Sequence, residues 1–236
     1  RAQPCSVQAR RNVGRVSDVT SGQIRLLLAV STAALTAACI NVGLGGEGSP
    51  QAQYRLDDLS PKVQPRSTPI DRRLLLSTTT FESIGDTHSM AYSRTGQQRE
   101  FYQFASWTDR PSARIVQLLS ERIEARGMFE SVSRLGGGIG GGLILNVGIN
   151  EFVHDVETST ARIEVSAELI ERRGRNLVER KRFTASAPVA AENAPSAVAA
   201  LSRALTMLFD ELIPWLERTA EALPPPEPRP ARDGKS

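Results

Sequence analysis

Apolar and polar residues alternate strictly through Leu143, Leu145, Val147 and Ile149, and again through Ile163, Val165, Ala167 and Leu169. A period of two buries one face of a β-strand, so both stretches are predicted strands. The turn Arg173-Gly174-Arg175-Asn176 follows the second, and residues 177–186 return as a third. Upstream, residues 73–81 are apolar and β-branched, the composition of a buried strand. Residues 90–94 and 100–105 flank Thr95-Gly96 and pair as a hairpin. Residues 128–132 form a short strand, and Tyr54-Arg55-Leu56 an edge strand. Between them, residues 57–69 carry three prolines and read as irregular. The period changes at Ile115, Leu118, Leu119 and Ile123, which recur at helical spacing between Pro111 and a stop at Gly127, with Asp109 as the expected cap. A second helix opens at Asn193-Ala194-Pro195 and carries the stripe Val198, Leu201, Leu205, Leu208, Leu212 and Leu216; Pro214 is expected to kink or loosen its final turn. Two striped helices laid on a mixed sheet bury these faces most simply, which makes the chain α/β.

One apolar stretch does not fit this scheme. Residues 25–39, RLLLAVSTAALTAAC, place one Arg before a short apolar run that ends in small residues and a single cysteine. The run is too short for a hydrocarbon core, which takes about 20 residues. Ser31, Thr32 and Thr36 dilute it as a core helix. Its order of charge, apolar run and small residues is that of a cleaved secretory signal. A cysteine at the cleavage point makes it a lipoprotein signal with Cys39 as the attachment site, although Leu35 stands four residues before the cysteine where three is usual. The chain therefore divides into an N-terminal extension and signal peptide (1–38), a flexible Gly-rich tether (39–53), a folded domain (54–220) and a disordered Pro-rich tail (221–236). Ile40 is not the aspartate that often retains lipoproteins at the inner membrane, which favours the outer membrane of a Gram-negative envelope.

Composition narrows the function classes. The 236 residues carry a formal charge of +3, with arginines scattered rather than clustered. This permits contact with anionic head groups without requiring it. Aromatics are 5% of the chain, too few for the stacking platforms of a single-strand nucleic-acid binder. Cys5 and Cys39 are the only cysteines. With Cys5 removed and Cys39 acylated, the mature domain has no thiol for a disulfide, a zinc cluster or a nucleophile.

Beyond residue 85 the order of motifs is distinctive. Asp86-Thr87-His88-Ser89-Met90-Ala91-Tyr92 leads to Glu100-Phe101-Tyr102, then Trp107-Thr108-Asp109-Arg110-Pro111, the first helix, and Gly127-Met128-Phe129-Glu130-Ser131-Val132. LNVGINEFVHD (145–155), the strand 164–172, Ala199, Leu201 and Ala204, and Trp215 follow in sequence. Together with the signal, this set resembles the ABC-type transport auxiliary lipoprotein family, which includes paraquat-inducible protein C-like components of MCE-type (mammalian cell entry) lipid transporters. The resemblance spans roughly residues 54–218. It implies a three-layer α/β sandwich with a mixed sheet and two main helices, similar to the anticodon-binding-domain arrangement. It also implies a periplasm-facing, lipid-anchored subunit. Its expected partners are an MCE-domain protein and the inner-membrane permease and ATPase of the same system, and it would assist phospholipid movement between the membranes.

The chemistry-bearing residues agree with a non-enzymatic role and no cofactor. The histidines are His88 and His154, without the spacing of a metal site. His154 and Asp155 are chain neighbours, which a strand points to opposite faces. No Gly-x-Ser-x-Gly elbow is present, so a lipid hydrolase is a distant reading. Gly136, Gly138 and Gly141 fit a dinucleotide GxGxxG pattern, but that motif must open a helix and here a strand is predicted to follow; the run 136–142 reads as a loop. Residues 171–182, ERRGRNLVERKR, are either a solvated hairpin end or a contact for head groups or an acidic partner. Met90, Tyr92, Phe101, Tyr102 and Trp107 are candidate contacts for acyl chains or a partner, competing with a plain core role. The alternative to lipid transport is a structural or assembly lipoprotein that never touches lipid cargo.

Overall fold

The computed structural model describes residues 51–60, 65–79, 86–96, 98–136 and 142–225. The signal, Cys39, most of the tether, the end of the strand expected at 73–81, Gly138, Gly141 and most of the tail lie outside them. Among the described residues the order is β1 (Ala52–Tyr54), β2 (Ile70–Thr79), β3 (Ser89–Ser93), β4 (Glu100–Trp107), α1 (Pro111–Ala125), β5 (Phe129–Arg134), β6 (Leu143–Asp155), β7 (Thr160–Glu171), β8 (Asn176–Pro188) and α2 (Ala194–Glu221). This is the mixed α/β class expected: a curled mixed sheet with two helices, consistent with a three-layer sandwich.

Strand β6 is the spine of the sheet. One of its edges pairs antiparallel with β7 along its whole length, from Leu143↔Glu171 to Asp155↔Thr160. β8 pairs antiparallel outside β7. A strand has only two edges, so its other parallel neighbours, β2 and β3, share the second. β2 takes the first half, Leu74↔Leu143 to Thr79↔Gly148, and β3 takes the last two residues, Tyr92↔His154 and Ser93↔Asp155. β5 adds parallel to β2, while β4 adds antiparallel to β3 and β1 parallel to β4. β1 takes in Ala52 and Gln53, two positions of the expected tether.

A register shift between Ile149 and Glu151 re-aims β6. Before it, Leu143, Leu145, Val147 and Ile149 face the core. After it, Phe152 and His154 do, opposite buried Ile163 and Ala161. One extra residue inverts the parity of everything downstream.

The helices cover the inward face. α1 buries Ile115, Leu118, Leu119 and Ile123, and α2 buries Leu201, Leu205, Leu208, Leu212 and Leu216, the stripes that the spacing predicts. α2 begins as expected, with the Asn193 side chain accepting from Ser196 N–H at 2.9 Å. It does not loosen at Pro214 but continues to Glu221, held by buried Trp215, Leu216 and Ala220. The cap of α1 is a correction. Residue Arg110 occupies the cap position without a side-chain bond. Instead Asp86, 26 residues upstream, accepts from Ser112 N–H at 2.9 Å and Ser112 Oγ at 2.7 Å.

The irregular segment after β1 is tied to both helices. Leu56 C=O accepts from Arg114 Nε at 2.9 Å, and Arg114 also meets Asp57 at 2.9 Å. Leu59 N–H donates to Thr206 Oγ1 at 2.8 Å. Arg122 bridges Asp58 and Asp210, linking that segment and α1 to α2. Past α2, the buried Arg72 donates to Pro224 C=O, so the start of the tail is held against β2.

Candidate functional site

The β3–β4 hairpin forms because a turn at Thr95-Gly96 joins two short apolar strands, with Gln98 N–H donating to Thr95 C=O at 2.9 Å. It carries all five contact positions expected from sequence, at three depths. Met90 and Trp107 are 1% and 4% exposed and belong to the core. Trp107 meets Phe152 edge-on at 5.5 Å, an arrangement aromatic pairs favour. Tyr92 and Tyr102 are half-buried, with ring centroids 4.8 Å apart. Phe101 is 45% exposed, and beside it Phe104 is 52% exposed. The sequence reading did not single out Phe104, although its place in the run Phe101-Tyr102-Gln103-Phe104 is the signal that marks it.

The two tyrosines have distinct polar ends. Tyr92 Oη donates to Glu100 Oε2 at 2.6 Å, and this bond holds its proton and raises its pKa. Arg94 lies over the same ring at 5.3 Å. Tyr102 Oη lies 2.6 Å from Nδ1 of His154. Burial pushes the Tyr102 phenol up to about 12 and lowers His154, because charged forms lose solvation inside a protein. The contact therefore joins a protonated phenol to a neutral imidazole, with the imidazole tautomer setting which of the two donates. His154 is 2% exposed with its Nδ1 occupied. Asp155 is turned to Thr158 N–H, 3.3 Å away. This pair fixes the base of the hairpin and is not arranged as a base open to substrate. His88 is exposed, with Nδ1 3.1 Å from Trp107 C=O. Among the described residues, no group of three or more His, Cys, Asp or Glu is placed to hold a metal.

The outer face of β6–β8 is polar. Asn150, Ser166, Glu168, Arg180 and Arg182 line a cavity there of about 290 Å³. Its charges are matched: Arg180 meets Glu168 at 2.5 Å and Arg182 meets Glu164 at 3.4 Å. The basic stretch 171–182 is thus partly neutralised along β8, and its turn is solvated. The Gly-rich run is followed directly by β6, so the helix that a dinucleotide loop needs is not there.

The family model for the ABC-type transport auxiliary lipoprotein component matches residues 54–212. The chain belongs to this family. Its family is that of a transport auxiliary lipoprotein, not of a known enzyme class, which associates it with a transport system of the cell envelope. The matched residues run from the last residue of β1 into α2 and take in β2 to β8, all of α1 and the larger part of α2. Among solved structures, the fold is similar to the protein XCC0632 of Xanthomonas campestris, described as DUF330 family, at TM-score 0.63 and 21% identity over 72% of this chain and 97% of that one. It is also similar to an uncharacterized protein at TM-score 0.54 and 12% identity, covering 71% and 99%. At these identities the likeness is one of fold. No curated protein matches the sequence.

Proposed function

We propose that this protein is a lipid-anchored accessory subunit serving the outer-membrane end of an MCE-type envelope lipid transporter. The family match over residues 54–212 is the observation that carries the reading, with the signal ending at Cys39 beside it. In this reading Cys39 is acylated and holds the domain at the membrane; two or more chains anchor stably where one is marginal. The domain docks on the MCE-domain protein of a system that also has an inner-membrane permease and an ATPase, and it assists phospholipid transfer. Contact falls to the accessible part of the hairpin, Phe101 with Tyr92 and Tyr102, while Met90 and Trp107 support it from beneath.

Affinity capture from solubilised envelopes tests the docking. Recovery of an MCE-domain protein with the wild-type chain supports it, and capture without that partner overturns it. One observation favours a second reading, a scaffold that never touches cargo: the cavity on the outer sheet face is lined by polar and charged side chains, a poor lining for acyl chains. Photocrosslinking from positions 101 and 102 separates the two. Lipid adducts support transport, and protein adducts alone support the scaffold.

A further inference from the structure

β1 runs parallel to β4 with Ala52↔Ala105, Gln53↔Ser106 and Tyr54↔Trp107. Followed backwards, the backbone at Ala52 therefore points along β4 toward Phe104 and Phe101. β1 pairs only with the last three residues of β4, and the half of β4 bearing these two exposed rings projects beyond it. Twelve residues of Gly-rich, largely polar sequence separate Ala52 from Cys39. A chain of that kind has a root-mean-square span of about 20 Å, whereas a domain of this size is about 40 Å across. A tether shorter than the body it holds limits how far the surface around Ala52 can move from a membrane that carries the anchor.

Resting on the reading of Cys39 as the lipid anchor, we propose that Phe101 and Phe104 form a second, interfacial foothold, so that the half of β4 that projects beyond β1 faces the bilayer. The chemistry suits a headgroup layer. Rings there reach the acyl boundary, while backbone N–H and C=O groups on the strand edge still find water and phosphate. The charges at the hairpin tip are largely matched, Arg94 to Glu192 and Glu100, and Arg99 to Glu151. The foothold is thus apolar rather than electrostatic.

Fluorescence quenching on the acylated full chain tests this. Single Phe104→Cys, Leu177→Cys and Met207→Cys variants are labelled with an environment-sensitive dye and reconstituted into phosphatidylethanolamine–phosphatidylglycerol vesicles containing nitroxide-bearing lipid. The three parent side chains are equally exposed, at 52%, 52% and 51%, so exposure alone predicts equal quenching. Insertion about 5–10 Å into the headgroup boundary predicts quenching at 104 about threefold or more above 177 and 207. Equal quenching at the three sites overturns the orientation while leaving the anchor standing, provided labelled palmitate is found on Cys39. Absence of palmitate from Cys39 overturns both.

Discussion

The Tyr102 phenol is hydrogen-bonded to Nδ1 of His154 at 2.6 Å, tying β4 to β6 across the intervening β3. Tyr92, on β3, packs against the Tyr102 ring between them. The two groups suit one another in protonation state. Burial keeps the phenol protonated and the imidazole neutral, so the bond joins two uncharged groups that are both spared a buried charge.

This pair makes stability depend on pH. The folded pKa of His154 lies below its ordinary value of 6.5. As pH falls below 6.5 the unfolded chain takes up a proton that the folded chain resists, so stability drops through the window down to the lowered folded value and is unaffected above it. Urea unfolding between pH 8 and pH 5 is expected to show a loss for the wild type that is smaller in His154→Phe; equal losses would refute the assignment. At pH 7, Tyr102→Phe leaves a buried ring nitrogen unpaired and is expected to cost about 1–3 kcal/mol.

The cap of α1 offers a sharper comparison. Asp86 accepts from both the backbone and the hydroxyl of Ser112, whereas Asp109 bonds only to its neighbour Thr108, at 3.2 Å. Asp86→Ala is expected to lower unfolding stability by about 1 kcal/mol, the typical worth of an N-cap. Asp109→Ala is expected to change it by less than about 0.5 kcal/mol. The reverse order in denaturant titrations would restore the local cap that the sequence suggests.

Both outcomes show where periodicity is legible and where it stops. The alternation through Leu143–Ile149 and Ile163–Leu169 and the stripe Leu201–Leu216 name their buried faces correctly, because each is set by a burial period within a single element. His154 is different. Period two from Leu143 would put it outside with Asn146 and Asn150, but the shift at Ile149/Glu151 turns it inward. A bulge is a choice between two strands, and neither sequence alone carries it. The same holds for Asp86, whose partner is 26 residues away, and for the sharing of one β6 edge by β2 and β3. At the hairpin, the aromatic positions were visible from composition, but their depths were not. Met90 and Trp107 lie in the core and Phe101 at the surface, and the register shift between β3 and β4 that separates Ala91↔Phe101 from Ser89↔Ser106 is not written in either strand alone.

Arg122 is the next test. Its guanidinium joins Asp58, Asp210 and Thr206 C=O while its Nε has no partner among the described residues, and it lies near the Phe209 ring. Arg122 and Asp58 are both buried, but Asp210 is more than half exposed. Arg122→Met leaves the Asp58 carboxylate without its cation, partly relieved by Thr206 Oγ1 at 3.0 Å and Ser60 N–H at 3.1 Å. The expected loss is about 2–3 kcal/mol, below the usual range for breaking a fully buried pair. Asp210→Asn is expected to cost less than about 1 kcal/mol, because water screens its side of the bridge. Equal losses in urea unfolding would show that the bridge works through Asp210 and not through the buried segment.

Glu179 and Trp215 give a test with an optical signal. Trp215 Nε1 donates to Glu179 Oε1 at 2.7 Å and Thr219 Oγ1 donates to Oε2 at 2.9 Å. These two bonds, the indole's first, hold the carboxyl below its ordinary value of 4.5. A depressed carboxylate pKa contributes stability that is present above the unfolded value and is lost as pH falls through the folded one. Glu179 sits on the surface of β8, so the contribution is under about 1 kcal/mol. Spectroscopy reads it more clearly. Trp215 is buried beside Phe183, and its emission is expected to change as Glu179 protonates, with a midpoint below 4.5. Glu179→Gln is expected to abolish that titration, and Thr219→Val to move its midpoint upward by removing one donor to the charged form. A midpoint unmoved in Thr219→Val would show that the indole alone sets the carboxyl.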